Sequence, residues 1–141
     1  MVKGIHHINL RPYKDDYDKM LEFYCDVLGM KIYRSWTKQR GDFLSRNCYI
    51  EMEDGSLIEA CETDVENRNP GIIQHLALAS DDALKTVEML KEKGYQVVNS
   101  KGQPSDTLTI DVGVGDPEVR CRTGFVLSPT GELVEFVQDL D

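Results

Sequence analysis

The 141-residue chain has three histidines, and two of them stand in matching company. His7 opens the run His7-Ile8-Asn9-Leu10, and His75 opens His75-Leu76-Ala77-Leu78. Downstream of each lies a second repeated spelling, Gly55-Ser56-Leu57-Ile58-Glu59 and Gly131-Glu132-Leu133-Val134-Glu135. A carboxylate set inside an apolar strand is costly unless something pairs with it or uses it. Two imidazoles and two carboxylates brought together suit a divalent Zn, Ni, Co, Mn or Fe, with positions left for water or substrate. Such an ion also offsets the repulsion between the carboxylates.

Each of these residues has an ordinary explanation when taken singly. A lone strand histidine is more often a hydrogen-bonded surface residue, and a lone strand glutamate usually faces solvent. The repetition carries the metal reading. If the two halves pack with pseudo-two-fold symmetry, His7, Glu59, His75 and Glu135 converge at the axis. His6 keeps the ordinary reading, because alternation puts it on a face with Ile8 and Leu10, opposite His7, Asn9 and Arg11.

The elements that must hold these residues follow from periodicity and turn residues. Ile5 to Arg11 has strand character and ends before Pro12. An amphipathic helix is expected from about Asp15 to Leu28, with Tyr17, Met20, Leu21, Tyr24, Val27 and Leu28 facing inward and Gly29 closing it. Strands are expected at Lys31–Trp36, Asn47–Met52 and Leu57–Cys61, with a tight turn at Glu53-Asp54-Gly55. Asn69-Pro70-Gly71 marks the internal boundary.

The second half repeats the plan. Gln74 to Ala79 reads as a strand, and Asp81 or Asp82 caps a helix whose Leu84, Val87 and Leu90 face inward before Gly94 ends it. Strand character returns at Tyr95–Val98, Leu108–Val114, Gly124–Leu127 and Leu133–Val137. Ser100–Asp106 reads as a polar loop and Gly115-Asp116-Pro117 as a turn. Each half is thus β-α-β-β-β, an α+β arrangement. The chain is read as one domain of residues 1–141, with module one at about 1–66 and module two at about 71–141. The histidine-to-glutamate separation is 52 residues in the first half and 60 in the second, which places a longer loop between Lys101 and Arg122.

Composition bounds the rest. The net charge of −9 argues against nucleic-acid binding and against an anionic membrane surface. No stretch approaches transmembrane length, and Met1-Val2-Lys3-Gly4 lacks a signal-peptide apolar run. None of Cys25, Cys48, Cys61 and Cys121 forms a C-x-x-C pair, and Cys48 and Cys61 read as small buried hydrophobes. A cytoplasmic location is expected.

These residues, with Phe23-Tyr24-Cys25-Asp26-Val27-Leu28-Gly29-Met30 and Ser128-Pro129-Thr130-Gly131, resemble the vicinal oxygen chelate (glyoxalase/bleomycin resistance/dioxygenase) superfamily over nearly the whole chain. The resemblance implies two βαβββ modules forming a cupped mixed sheet around a metal, with helices outside. The ligand order His7, Glu59, His75, Glu135 is that of bacterial glyoxalase I. Extradiol dioxygenases use two histidines and one glutamate, and methylmalonyl-CoA epimerases usually place Gln where Glu59 stands.

The implied activity is that of a metal-dependent lyase or isomerase on a small hemithioacetal-type substrate, the adduct of glutathione or another thiol. In it the metal, Ni or Zn with Co, Mn and Fe as alternatives, binds vicinal oxygens and stabilises an enediolate. Glu135 is taken as the base that moves the proton, with Glu59 as its partner, although near-symmetry lets the roles exchange. Arg11 is the candidate substrate contact, and Arg34, Arg120 and Arg122 are weaker ones. Two positions depart from bacterial glyoxalase I: Thr63 replaces an asparagine, and the 101–122 loop is unlike its lid. A metal-free ligand-binding protein of the bleomycin-resistance kind and an epimerase are the alternatives. The resemblance also implies a homodimer.

Overall fold

Gly55 and Gly131, the glycines of the repeated spelling, sit at φ of 86° and 95°. Only glycine takes such values without steric cost. Each closes a turn through its own N–H, Gly55 to the Met52 carbonyl at 2.9 Å and Gly131 to the Ser128 carbonyl at 3.0 Å. Each turn delivers the chain into the strand that carries the glutamate.

The computed structural model describes residue 1 and residues 5–66, 75–114 and 117–141. The chain divides into two compact units, Met1–Arg68 and Asn69–Asp141. The first runs β1 (His7–Leu10), α1 (Tyr17–Leu21), a π-helical continuation over Glu22–Val27, β2 (Lys31–Arg40), β3 (Phe43–Glu51) and β4 (Leu57–Cys61). Its sheet has the order β1-β4-β3-β2, with β1 parallel to β4 and the other pairs antiparallel. The second unit runs β5 (Leu76–Ala79), α2 (Ala83–Glu92), β6 (Val97–Val98), β7 (Ile110–Val114), β8 (Val119–Leu127) and β9 (Leu133–Asp139). Its order is β5-β9-β8-β6, with β7 also on β8 and β5 parallel to β9. The fold is α+β with two mixed sheets.

The repeat extends to register. Asn9 pairs with Glu59 in the first sheet, and Ala77 pairs with Glu135 in the second. Across the next ladder Tyr49 opposes Glu59 and Phe125 opposes Glu135. The second unit spends two strands, β6 and β7, where the first spends β2, and the residues between them account for its longer separation.

Several boundaries differ from expectation. The first helix starts at Tyr17 and becomes π-helical at Glu22, where Leu28 N–H reaches the Phe23 carbonyl five residues back. The wider turn brings Phe23 inward, so Phe23 is fully buried while Leu21, Val27 and Leu28 are only half-buried. In α2 the buried stripe is Ala83, Val87 and Leu90, and Leu84 is exposed. Asp82 is the N-cap, accepting from the Lys85 N–H at 3.0 Å.

β2 and β3 extend further than expected and meet in a hairpin at Gly41-Asp42, because polar residues on a sheet edge hide the alternation. The expected turns at Asn69-Pro70-Gly71 and Gly115-Asp116, and residue Gln74, lie outside the described residues.

The first sheet's apolar face presents Cys48, Ile50, Ile58 and Ala60, all at most 1% exposed, and the helix supplies Tyr17, Met20, Phe23 and Tyr24. Tyr17 joins helix to sheet through its hydroxyl, 3.5 Å from Cys48 Sγ. Burying side chains of this size contributes about 1.5–3 kcal/mol each. In the second unit α2 lies close on β8: a methyl at Gly124 would meet the Leu108 carbonyl at 2.5 Å and Val87 Cγ2 at 2.8 Å. With one face committed to a helix, the other is left for polar side chains.

Candidate functional site

Period two along β1 puts His7 and Asn9 on the face that Glu59 occupies on β4. His7 Nε2 lies 3.7 Å from Glu59 Oε1. Asn9 Nδ2 donates to the same oxygen at 2.8 Å, and the Cys61 thiol lies 3.5 Å from it. Burial alone would raise the Glu59 carboxyl, but Asn9, Cys61 and the nearby His7 outweigh it and hold the group below its ordinary value. Tyr49, opposite Glu59, is shifted upward by burial and by the Glu59 charge. Its ring stands 5.7 Å from His7, 5.9 Å from His6 and 5.1 Å from Trp36.

The second unit builds the matching pair. His75 immediately precedes β5, and its Nε2 lies 2.9 Å from Glu135 Oε2. Thr123 donates its hydroxyl to the other oxygen, Glu135 Oε1, at 2.6 Å. Phe125 stands edge-on to the His75 ring at 6.0 Å. Both carboxylates are mostly buried, at 18% and 16% exposed for Glu59 and Glu135.

Each unit therefore brings one imidazole nitrogen close to one carboxylate oxygen, at 3.7 Å in the first and 2.9 Å in the second. Donors about 2.1 Å from a metal lie roughly 3.0 Å apart at a right angle and roughly 3.4 Å apart at a tetrahedral one. The donor set, two nitrogens and two carboxylates, is chemically fit for Zn, Ni, Co, Mn or Fe. Within either unit, among the described residues, no group of three or more His, Cys, Asp or Glu is placed to hold a metal. Each unit brings together one histidine and one glutamate.

The arginines divide. Arg120 pairs with Asp141 at 3.1 Å and Arg122 with Asp111 at 2.7 Å, so two of the three weaker candidates are spent in ion pairs, and Arg34 has no ion-pair partner among the described residues. Arg11 follows the end of β1, is exposed, and has no ion-pair partner among the described residues. Asn9, Tyr49, Cys61 and Thr123 received no role from the sequence. Alternation could have found Asn9 and Cys61, each two residues from a candidate ligand, whereas Tyr49 and Thr123 needed the strand register. His6 also surprises, since its Nδ1 lies 2.9 Å from His7 Nδ1 despite the face it was assigned.

Two βαβββ-type units, each with a histidine on or beside its first strand next to a glutamate on its last, define a duplicated-module class. The chain matches the family model described as Glyoxalase/Bleomycin resistance protein/Dioxygenase superfamily over residues 4–136, and it belongs to that superfamily. A relative from Synechocystis sp. (strain ATCC 27184 / PCC 6803 / Kazusa), named probable lactoylglutathione lyase, is 33% identical over 107 residues. That alignment covers 73% of this chain and 81% of the relative.

The trypanothione-dependent glyoxalase I of Leishmania major has a similar fold, with a TM-score of 0.68 at 18% identity, covering 97% of this chain and 87% of that one. A fosfomycin resistance protein of Listeria monocytogenes, solved with Mn(II) and sulfate, matches with a TM-score of 0.66 at 17% identity over 98% of this chain and 93% of its own. At these identities the two structures speak to fold alone. Among the described residues no helix is long and apolar enough to cross a membrane.

Proposed function

We propose that the protein is a glyoxalase I-like lyase, a divalent-metal enzyme that moves a proton between neighbouring carbons of a hemithioacetal-type thiol adduct. The observation that carries this reading is the duplicated pair: His7 with Glu59 at 3.7 Å and His75 with Glu135 at 2.9 Å, at equivalent register positions. The likeness to a relative named probable lactoylglutathione lyase supports the same class. His7, Glu59, His75 and Glu135 would hold the ion, which when bound acts as a Lewis acid on substrate oxygen.

The rest falls to the protein's own groups. Glu135 is the base: it takes the proton from one carbon and returns it to the next. Its Oε1 is tied by one hydroxyl, while Oε2 faces His75. Glu59, held by Asn9 and Cys61 on one oxygen, is the more fixed partner and suits a ligand role. Arg11 is the candidate contact for the anionic part of the thiol.

An ultraviolet assay with methylglyoxal and glutathione, run with Ni and again with Zn, tests the reaction. Thioester formation with either ion is expected. Calorimetric titration with the same ions tests the premise: His7→Ala and His75→Ala should each weaken binding. A wild type that binds neither ion would favour a metal-free ligand-binding member of the superfamily.

A further inference from the structure

His6 and His7 meet ring to ring, although neighbours along a strand ordinarily point to opposite faces. His6 stands just before β1, which starts at His7, so the strand's alternation does not govern it. Its Nδ1 lies 2.9 Å from His7 Nδ1, and the rings stand edge to face with centres 5.2 Å apart. A neutral imidazole has one N–H and one bare nitrogen. Two Nδ1 atoms at this distance therefore hold one proton between them, with one ring donating and the other accepting.

The surroundings of His7 decide which ring donates. If His6 donated, His7 would carry its own proton on Nε2, on the side of Glu59. The Nε2 to Glu59 Oε1 separation is 3.7 Å, beyond hydrogen-bond length. That oxygen already accepts from Asn9 Nδ2 at 2.8 Å and has the Cys61 thiol 3.5 Å away. If His7 donates instead, its proton is used by His6, and its bare Nε2 stands on the Glu59 side. His6 is exposed, so water serves its other nitrogen.

The second unit does the opposite. His75 Nε2 lies 2.9 Å from Glu135 Oε2, a bonding distance, and an ionised carboxylate only accepts. His75 thus carries its proton on the nitrogen that faces its carboxylate. A histidine that ligates a metal uses a bare nitrogen. It usually donates its other N–H to a fixed acceptor, which sets both the tautomer and the ring orientation. His7 already has this arrangement.

We propose that His6 is a positioning residue for His7: its Nδ1 accepts the His7 Nδ1–H and holds His7 Nε2 bare and turned toward Glu59. The inference rests on the proposed function for the use of that nitrogen, which is metal ligation. It adds a residue outside the set of His7, Glu59, His75 and Glu135, and it makes the first unit the one prepared to take the ion.

His6 is also an aromatic neighbour, with its ring edge to face with Tyr49 at 5.9 Å. Substitution separates the two roles. His6→Phe keeps a ring and removes the acceptor. His6→Asn removes the ring and keeps an amide oxygen near the place of Nδ1.

The full chain, isotope-labelled in nitrogen and free of metal, is studied at about pH 8.5, where ordinary imidazoles are neutral. Long-range proton–nitrogen correlation spectra tell Nδ1–H from Nε2–H. With three histidines in the chain, His7→Ala and His75→Ala assign the signals. His7 is expected as the Nδ1–H tautomer in wild type and H6N, and as a mixture in H6F.

Calorimetric titration with Zn and with Ni gives the second readout. H6F should bind about tenfold more weakly, the lower end of what loss of such a support costs, and H6N should stay within about twofold of wild type. Far-ultraviolet circular dichroism verifies folding, and H6A replaces H6F if that variant unfolds.

A wild-type His7 protonated at Nε2, or unchanged metal affinity in H6F, overturns the inference and leaves the lyase reading standing. Native affinity in H6F with weak binding in H6N makes His6 a packing neighbour and overturns it too. Greater loss in H6N than in His7→Ala makes His6 itself the ligand, with the same result. A wild type that binds neither ion removes the lyase reading alone. In that case the metal-free spectra decide: Nδ1–H on His7 that is lost in H6F upholds the tautomer role, and any other pattern overturns it.

Discussion

Asn9 lies directly across the β1–β4 ladder from Glu59 and donates to it at 2.8 Å, whereas the equivalent residue across from Glu135 is Ala77, which has nothing to donate. The two halves share a register but not the anchoring of their carboxylates. Hydrogen bonds to a ligating carboxylate typically change metal affinity by about 10–100-fold when removed. Asn9→Leu, similar in size, should therefore weaken calorimetric metal binding about tenfold while leaving the melting temperature little changed. Unaltered affinity would mean that Glu59 needs no such support.

Glu135 has a different tether, with the Thr123 hydroxyl donating to Oε1 at 2.6 Å and the His75 ring 2.9 Å from Oε2. Glu135→Gln keeps the shape and one neutral oxygen acceptor but removes the basic site. The expected outcome is loss of proton transfer by at least about 100-fold, the scale of one general base, with the fold retained. Metal affinity measured alongside should fall much less than turnover. Turnover near the wild-type value would transfer the base role to Glu59.

Arg46 shows how a charge can be wholly structural. Its guanidinium spans Glu62, Asp18 and the face of Tyr17, whose ring centre is 4.4 Å away. The Glu62 side chain is only 5% exposed, so removing its partner leaves a buried carboxylate uncompensated. Arg46→Met should cost about 2 kcal/mol, below the usual 3–5 for a fully buried pair because Arg46 itself is half exposed. Urea denaturation measures it. A cost under about 0.5 kcal/mol would class the pair with ordinary surface salt bridges.

Much of this was legible beforehand, for physical reasons. The turn glycines and glutamates recur because both halves solve the same geometric problem, and His7 and Glu59 share a face because strands alternate. The first helix misled because a π-helical turn changes the period within one element, moving Phe23 inward. β2 was cut short because its charged residues conceal an edge strand. Tyr49 and Thr123 could not be read at all, since their place beside the glutamates depends on pairing between strands distant in sequence.

The thiols of the first unit give a test by pH. Burial, with smaller contributions from Cys48 and Asp26, pushes the Cys25 thiol from its ordinary 9.0 to about 11. The unfolded chain therefore releases this proton near pH 9, while the folded chain keeps it until near pH 11. Between those values the unfolded state binds fewer protons, so stability falls as pH rises. The contribution is absent below the lower value and levels off above the upper one. Cys48 and Cys61 are also shifted upward by burial and act in the same direction. Cys25→Ala removes one of these groups while leaving the others. Its melting temperature, whatever its starting level, should decline less steeply than the wild type's across this window. Groups common to both proteins cancel in that difference. Parallel curves for the two proteins would show that the Cys25 thiol titrates alike in folded and unfolded chains.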